Sequence, residues 1–465
     1  MYDTFNYFVE SVDLRNHPLN KANAKTKSDY FLTLSYIINR LIEHIESQPL
    51  PVENTDDLHR SEQLSRFEGI LHTSILKEYY TERLNNYRAY FCLNNTEIYD
   101  EKKAEKTIAT FLRRPWRKKH RIWLVCDLAL IVMEPTFLND GAEIVKQFLS
   151  KRATSEIDLL ISALASDTPV IPRFAKAEDL IMQYRKNIAF LSGNEQRIIV
   201  TANMSAGKST LINALIGKQI ARTSQEVCTG NVCYLYNKAF EDGNVHLATQ
   251  HLTMSATDEE LHSYQWTGAI SIASYFASLI PAVQKLCLID TPGVDAAIYK
   301  EHTKRTHDAL LGQNYNRVIY VVSPTNLGTD AEHKHLLWVS KNIPHDKIVF
   351  VLNKLDDYRS CSDSIEESIQ GLREDLIKTG FENPTICPIS AYFGLLLKLK
   401  LTGQTLSADE EDEYAFFAKK FRRPAYDLSI FYDDCNCLDT DSDEVALYKR
   451  SGLYGLENLI YGGRI

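Results

Sequence analysis

The chain has 465 residues, with 52 Lys and Arg against 61 Asp and Glu and a formal net charge of -9 at pH 7. Hydrophobic residues make up 44% and charged residues 24%, which excludes a disordered or fibrous chain and leaves enough apolar material for roughly two or three domains. The acidic balance excludes whole-molecule attraction to DNA, and no uncharged apolar run has the length needed to span a bilayer.

From Thr4 to about Phe190 the pattern is helical. Apolar residues recur at three-and-four spacing from Tyr30 to Ile42, and Pro49, Leu50 and Pro51 break that run. A second long helix is predicted over about Leu58 to Tyr90, and a third over about Glu101 to Leu112, which Arg114-Pro115 ends. Ile122 to Met133 is apolar enough to be a central buried helix. Between these two helices, Arg113 to Trp123 mixes Arg, Lys and His with Trp116 and Trp123. That composition suits an anionic lipid surface, with Trp at the interface, or RNA, by phosphate contact and stacking; the alternative is a solvated stretch with one Trp packed inward. A Pro-containing loop at 167–172 precedes a linking helix, Lys176 to Phe190. Nine cysteines are scattered, mostly on apolar segments, as reduced thiols in a cytoplasmic protein would be. Met1-Tyr2-Asp3-Thr4 has neither a basic start nor an apolar core, so a signal peptide is not expected.

Arg197 to Asn213 reads as a buried strand, a tight small-residue turn and the start of a helix. This is the layout of a phosphate-binding loop, in which backbone N–H groups and the helix dipole converge on one anion. The loop comprises Asn203, Met204, Ser205, Ala206, Gly207, Lys208, Ser209 and Thr210, with Ala202 where the pattern asks for the first Gly. Lys208 can reach terminal phosphates, and the Ser209 hydroxyl can ligate a Mg2+ ion that bridges them. Downstream, an apolar strand from Leu286 ends in Asp290-Thr291-Pro292-Gly293; Asp290 can hold a metal-bound water, and the Gly293 N–H can sense a γ-phosphate. A further strand runs into Asn353-Lys354-Leu355-Asp356, whose last carboxylate can accept from both donors of guanine, a pair that adenine lacks. Ile386 to Ala391 is a strand ending in Ser390-Ala391, where a backbone N–H can donate to the guanine oxygen. Between loop and Asp-Thr-Pro-Gly lies Glu226 to Gly230, in which Thr229 is the natural second protein ligand of Mg2+. The alternation of strand and helix across this region predicts a parallel sheet, with 231–238 and 245–250 forming an antiparallel edge hairpin around Asp242-Gly243-Asn244.

These residues resemble the G domain of the dynamin-like GTPases, particularly the bacterial ones. The resemblance rests on 204–217 and on the Asp-Thr-Pro-Gly, Asn-Lys-Leu-Asp and Ser-Ala elements, with a weaker echo at 451–460. It implies a Ras-like P-loop G domain, α/β with a mixed, mostly parallel sheet, framed by the α-helical N-terminal region. It also implies GTP hydrolysis with Mg2+, a homodimer formed through the G domains, and Lys208, Ser205 and Thr229 as catalytic residues. Ser205 would help neutralise transition-state charge across that dimer. Where the family usually carries a water-orienting Gln, this chain has Met204, so slow turnover without dimerisation is expected. Family members remodel or protect membranes, or serve vesicle release. The alternative function is a slow GTPase scaffold that assembles with protein or RNA partners.

After Leu399 the composition turns acidic, at 409–413 and 433–434. Asp439, Asp441 and Asp443 alternate as in a calcium loop, but the Gly and the bidentate Glu are missing, so a solvated acidic loop is predicted. The expected layout is a helical region at 1–175, a linking helix at 176–196, the G domain at 197–399, an acidic insert at 400–450 and a closing helix at 451–465. Expected partners are GTP and GDP, a second copy of the chain and an anionic membrane surface, with no specific DNA binding. The expected location is the cytoplasm, with peripheral attachment to a membrane.

Overall fold

The computed structural model describes residues 8–47, 58–93, 101–114, 117–203, 205–221, 232–261, 270–278, 285–294, 300–312, 314–324, 329–359, 363–433, 435 and 442–461. Two compact units divide the chain: Met1–Ser192 with Ala239–His246 and Gln250–Ala256, and Gly193–Lys238 with Leu247–Thr249 and Thr257–Ile465.

The first unit is helical: α1 (Ala24–Ser47), α2 (Leu58–Tyr90), α3 (Glu101–Arg113), α4 (Lys118–Val132), α5 (Pro135–Lys146), α6 (Lys151–Leu164) and α7 (Glu178–Leu191). Helix α4 is apolar on every side and is buried without a break from His120 to Val132, so it must be the core and not a face. Helices α1, α5, α6 and α7 pack on it, and α2 contributes a stripe of Leu76, Tyr79, Tyr80, Arg83, Leu84 and Tyr87 at three-and-four spacing. Each fully buried Leu, Ile or Val in such a core contributes about 1.5–3 kcal/mol. The buried carboxylate of α4, Asp127, accepts from His17 Nε2 at 3.0 Å, from Tyr87 at 3.1 Å and from Tyr30. Helix α7 is a member of this bundle and not a linker, since Leu180, Ile181, Tyr184, Asn187 and Phe190 are buried. Residues 239–246 are stitched into the same unit by Ser11 Oγ donating to the Phe240 carbonyl at 2.6 Å and the Val12 N–H donating to Asp242 at 2.9 Å.

The basic stretch from Arg113 to Trp123 is mostly structural. Trp123 is buried and donates its indole N–H to the Lys176 carbonyl at 2.8 Å, so it is no interfacial anchor. Arg121 is buried and satisfies the carbonyls of Leu112 and Arg114, closing the turn between α3 and α4. Burial, aided by the charges of Arg117 and Lys119, pushes the His120 pKa down to about 4. Arg117 reaches the Thr26 hydroxyl at 3.2 Å. Arg113, Arg114, Lys118 and Lys119 remain exposed, and Pro115 and Trp116 lie outside the described residues.

The second unit is the α/β fold that the sequence predicts. Its strands are β1 (Glu195–Ala202), β2 (Cys233–Asn237), β3 (His246–Ala248), β5 (Ile270–Ser274), β6 (Lys285–Asp290), β7 (Arg317–Val322), β8 (Ile348–Leu352) and β9 (Thr385–Pro388); the two-residue β4 (Leu252–Thr253) falls within the first unit's residues. They run in the order β3-β5-β2-β6-β1-β7-β8-β9. Strand β1 is parallel to both β6 and β7, β7 to β8 and β8 to β9, while β2 is antiparallel to β6. The helices are α8 (Lys208–Ile216), α9 (Asp258–Leu261), α10 (Lys300–Gly312), α11 (Asp330–Asn342), α12 (Ile365–Thr379), α13 (Ala391–Leu401), α14 (Ala408–Phe421), α15 (Asp443–Arg450) and α16 (Leu453–Tyr461). Parallel strands buried on both faces need continuous apolar runs, and Ile198 to Ala202, Val318 to Val322 and Ile348 to Leu352 supply them.

One expectation fails in this unit. Strands β2 and β3 do not form a hairpin, because β5 lies between them and pairs in parallel with β2. The acidic run at 409–413 lies at the start of α14, where a capping box joins Ser407 and Glu410 and acidic side chains meet the positive helix end. Of the alternating aspartates, Asp443 opens α15, and Asp439 and Asp441 lie outside the described residues. Ala418 and Phe421 are the residues of α14 that the fold buries, and Leu447 and Tyr448 do the same for α15.

Candidate functional site

The site forms where β1, β6, β8 and β9 end. After Ala202 the chain turns through Ser205 at φ 63° and Gly207 at φ 88°, both left-handed. Only glycine serves at 207, since a Cβ there would sit 2.3 Å from Asn353 Nδ2 as well as being strained. Helix α8 then starts at Lys208 with no side chain capping its first N–H groups. Those groups, the positive end of the helix dipole and the Ser205 to Thr210 turn form an anion seat.

Lys208 is buried and its ammonium donates to the Asp290 carboxylate at the end of β6, itself 4% exposed. The Asp-Thr-Pro-Gly segment is held beside the loop: Thr291 Oγ1 donates to the Val200 carbonyl at 2.9 Å, and the Val294 N–H donates to the Ala202 carbonyl at 3.1 Å. The hydroxyl of Thr306 in α10 donates to the Pro292 carbonyl at 2.8 Å, which fixes Gly293 between tethered neighbours.

On the base side, Asn353 Nδ2 donates to the Ala206 carbonyl at 3.0 Å, and its Oδ1 accepts from the Ala391 N–H at 3.0 Å. Lys354 takes the left-handed conformation at φ 65° and launches a tight turn, Leu355–Asp357, that buries the Asp356 carboxylate. Ser390 Oγ donates to Asp356 Oδ1 at 2.7 Å. Burial raises the Asp356 pKa above its ordinary value, and the Ser390 bond works against that rise. The two N–H groups of the Ser-Ala element have partners within the protein: the Ala391 N–H donates to Asn353 Oδ1 at 3.0 Å, and the Ser390 N–H donates to the Ser451 carbonyl at 2.9 Å. Met204 and Thr229 lie outside the described residues.

Sequence reasoning missed a buried polar cluster that touches the loop from α11. Asn203 Nδ2 donates to Glu332 Oε2 at 2.5 Å, and Thr201 Oγ1 lies 3.3 Å from His335 Nε2. The Tyr320 ring lies 5.3 Å from that of His335, which in turn stacks on His307 of α10. Burial lifts the Glu332 pKa to about 7 and, with the charge of His307, drops that of His335 to about 3. Glu332 Oε1, Asn203 Oδ1 and His335 Nδ1 are buried without a hydrogen-bond partner among the described residues. No spacing signal marks these residues, because the contacts join positions 129 and 134 apart.

A resident Mg2+ fits the donor set. Among the described residues no cluster of three His, Cys, Asp or Glu could cage a metal. A Ser hydroxyl at a helix start with one carboxylate nearby is instead how a site shared with phosphate oxygens is built.

A phosphate seat whose lysine is ion-paired to the next strand end, and a buried carboxylate on an Asn-Lys-Leu-Asp turn, together define the P-loop GTPase class. Residues 198–355 match the dynamin family model. Among curated proteins, the chain is similar to a probable transmembrane GTPase, FZO-like and chloroplastic, of Arabidopsis thaliana, at 22% identity over 313 residues. The match covers 66% of this chain and 28% of that protein, so the chain spans under a third of its relative. Among solved structures, the G domain of the T. maritima FeoB iron transporter matches at 16% identity and a TM-score of 0.25, covering 48% of this chain and 99% of that one. Among the described residues no helix is long and apolar enough to cross a membrane.

Proposed function

We propose that this chain binds GTP at Asn203 to Thr210, Asp290, Gly293, Asn353, Lys354, Asp356, Ser390 and Ala391 and hydrolyses it to GDP and phosphate, with two G domains pairing across the nucleotide. One observation carries the reading: Asn353 ties the phosphate loop to the Ser-Ala element beside the buried Asp356, so the phosphate seat and the guanine acceptor form one site. The ammonium of Lys208 exchanges Asp290 for the β- and γ-phosphates, offsetting charge that develops as an in-line water attacks. Ser209 and Thr229 would hold Mg2+, with Asp290 able to hold a metal-bound water, and the ion would supply further neutralisation of phosphate charge. Met204 has no hydrogen-bonding group to orient the water. Turnover therefore depends on Ser205 and on the second copy, and is slow in the isolated chain.

The cellular setting is the cytoplasm, at an anionic membrane surface. The lipid-facing residues are then the exposed Arg113, Arg114, Lys118 and Lys119, each contributing about 1 kcal/mol near such a bilayer. A second reading, a scaffold that assembles with protein or RNA and never meets lipid, is favoured by the burial of Trp123 and Arg121. GTP turnover measured across protein concentrations, with and without anionic liposomes, tests both. Activity per molecule should rise with concentration; a flat response overturns the dimer mechanism. Equal affinity for ATP and GTP overturns the guanine assignment. Stimulation by liposomes favours the membrane setting, and its absence favours the scaffold.

A further inference from the structure

We propose that Lys420 is a specificity-determining positioning residue for the guanine pocket: from α14 its ammonium clamps the two backbone carbonyls of the turn that carries Asp356. This rests on the guanine reading above and extends it to a helix outside the residues matched by the family model.

The Lys420 Nζ donates to the carbonyls of both Asp356 and Tyr358, positions 64 and 62 back in sequence. Carbonyls leaving a tight turn are orphan acceptors that water usually satisfies. Here a single cation takes both and so fixes the direction of the chain through Asp356. The cation is itself positioned: it sits 4.6 Å from the centroid of the Tyr426 ring, and the Tyr426 hydroxyl donates to the same Tyr358 carbonyl at 3.3 Å. Helix α14 is docked about two turns earlier, where Tyr392 of α13 donates to Glu413. The base-reading turn is thus built between α13, through Ser390, and α14, through Lys420.

The chemistry gives the clamp a second effect. Guanine offers a ring N–H and an exocyclic amine, and only an ionised carboxylate accepts both without a proton of its own in the way. The titratable and charged groups around the Asp356 carboxyl are Asp357 on its own turn, Tyr392 on α13 and Lys420 on α14. Burial raises the Asp356 pKa, and Asp357 adds to that rise. Of these groups Lys420 is the cation, and its charge works against that rise alongside the Ser390 hydroxyl and a backbone N–H. Removing the ammonium both frees the turn and lets the Asp356 pKa climb further.

The test is binding of a fluorescent GDP analogue to the full chain from pH 6 to 9, for wild type, Lys420→Met, Lys420→Gln and Lys420→Arg, with the ADP and XDP analogues alongside. Lys420→Met should weaken GDP by about tenfold near pH 7, and the loss should be smaller at higher pH, the direction in which a carboxyl with a raised pKa ionises. Lys420→Arg should restore most of the affinity. Lys420→Gln keeps a donor without the charge, so it should fold as wild type does and still show the pH-dependent loss. A wild-type chain that does not prefer GDP to ADP would sink the guanine reading itself. If wild type prefers GDP but Lys420→Met and Lys420→Gln bind it like wild type at every pH, the clamp is wrong. A loss that is the same at every pH and not rescued by Arg would make Lys420 a packing residue only, and overturns the proposal as well.

Discussion

Two buried carboxylates, one in each unit, live in opposite circumstances. Asp127, inside the apolar helix α4, receives donors from His17, Tyr30 and Tyr87, which fill its acceptor positions from α2, from α1 and from the segment before it. Glu332, below the phosphate loop, accepts from Asn203 on Oε2 and is approached by the Tyr320 hydroxyl, while burial still lifts its pKa to about 7. A closed network makes a core rigid and unique, whereas a half-satisfied one belongs where something else must be accommodated. The contrast separates a carboxylate that its own side-chain donors saturate from one that keeps polar capacity beside a site.

The comparison breaks most visibly at Asp127. Asp127→Ala strands three buried donors, so unfolding of the helical unit should become easier by about 3–5 kcal/mol, with the preference for guanine over adenine unchanged. Denaturant melts followed by nucleotide binding in the surviving fold check both halves. Lys208→Ala should do the reverse: at least a roughly 100-fold fall in GTP turnover, about 2.7 kcal/mol, with helical-unit stability untouched. A melt that shifts with Lys208→Ala as far as with Asp127→Ala would erase the distinction.

Glu332→Gln sharpens it through pH. The folded pKa of about 7 lies above the ordinary 4.5. Between those values the folded protein holds a proton that the unfolded chain has lost, so the stability contributed by Glu332 falls as pH rises and is flat above 7. The Gln variant cannot titrate and keeps an acceptor for Asn203. It should be more stable than wild type above pH 7 by about 3 kcal/mol at most, a gap that closes toward pH 4.5. His335, with its pKa near 3, loses stability in the opposite direction, as pH falls below its usual range, but does so equally in both proteins. Thermal melts at pH 5, 6.5 and 8 decide it, and a gap that is constant with pH would show Glu332 unprotonated throughout. The smallest effect belongs to the rim: Lys118→Met removes the half-exposed partner of the mostly buried Glu156 and should lower stability by about 1 kcal/mol in a denaturant melt.

Much of the site was legible in the sequence because each nucleotide motif is a local event, a strand end followed at once by a turn. The lysine at 208, the carboxylate at 290 and the Asn-Lys-Leu-Asp turn needed no knowledge of distant contacts. What remained hidden depends on chain returning from afar. Lys420 meets Asp356 across 64 residues and Glu332 meets Asn203 across 129, and no periodicity encodes either. Strands β2 and β3 look like a hairpin because Asp242-Gly243-Asn244 is a turn; that turn instead belongs to the helical unit, and β5 takes the place beside β2. Helix α14 was the recoverable miss, since Ser407 and Glu410 spell a capping box that outranks the acidic composition behind it. The basic stretch misled for a different reason: composition counts charges and rings without showing that Arg121 and Trp123 spend their N–H groups on backbone carbonyls.

One amide deserves a last consequence. Asn353 gives its N–H to the Ala206 carbonyl and its oxygen to the Ala391 N–H, so a single rigid side chain is shared by the two halves of the nucleotide seat. Affinity for the base and affinity for the phosphates are then not separate quantities. Guanosine and inorganic phosphate, each alone, should bind far more weakly than the division of the GTP free energy would assign them. Cutting the amide with Asn353→Ala should make Lys208→Ala and Asp356→Asn, now non-additive, fall back toward simple addition in a thermodynamic cycle.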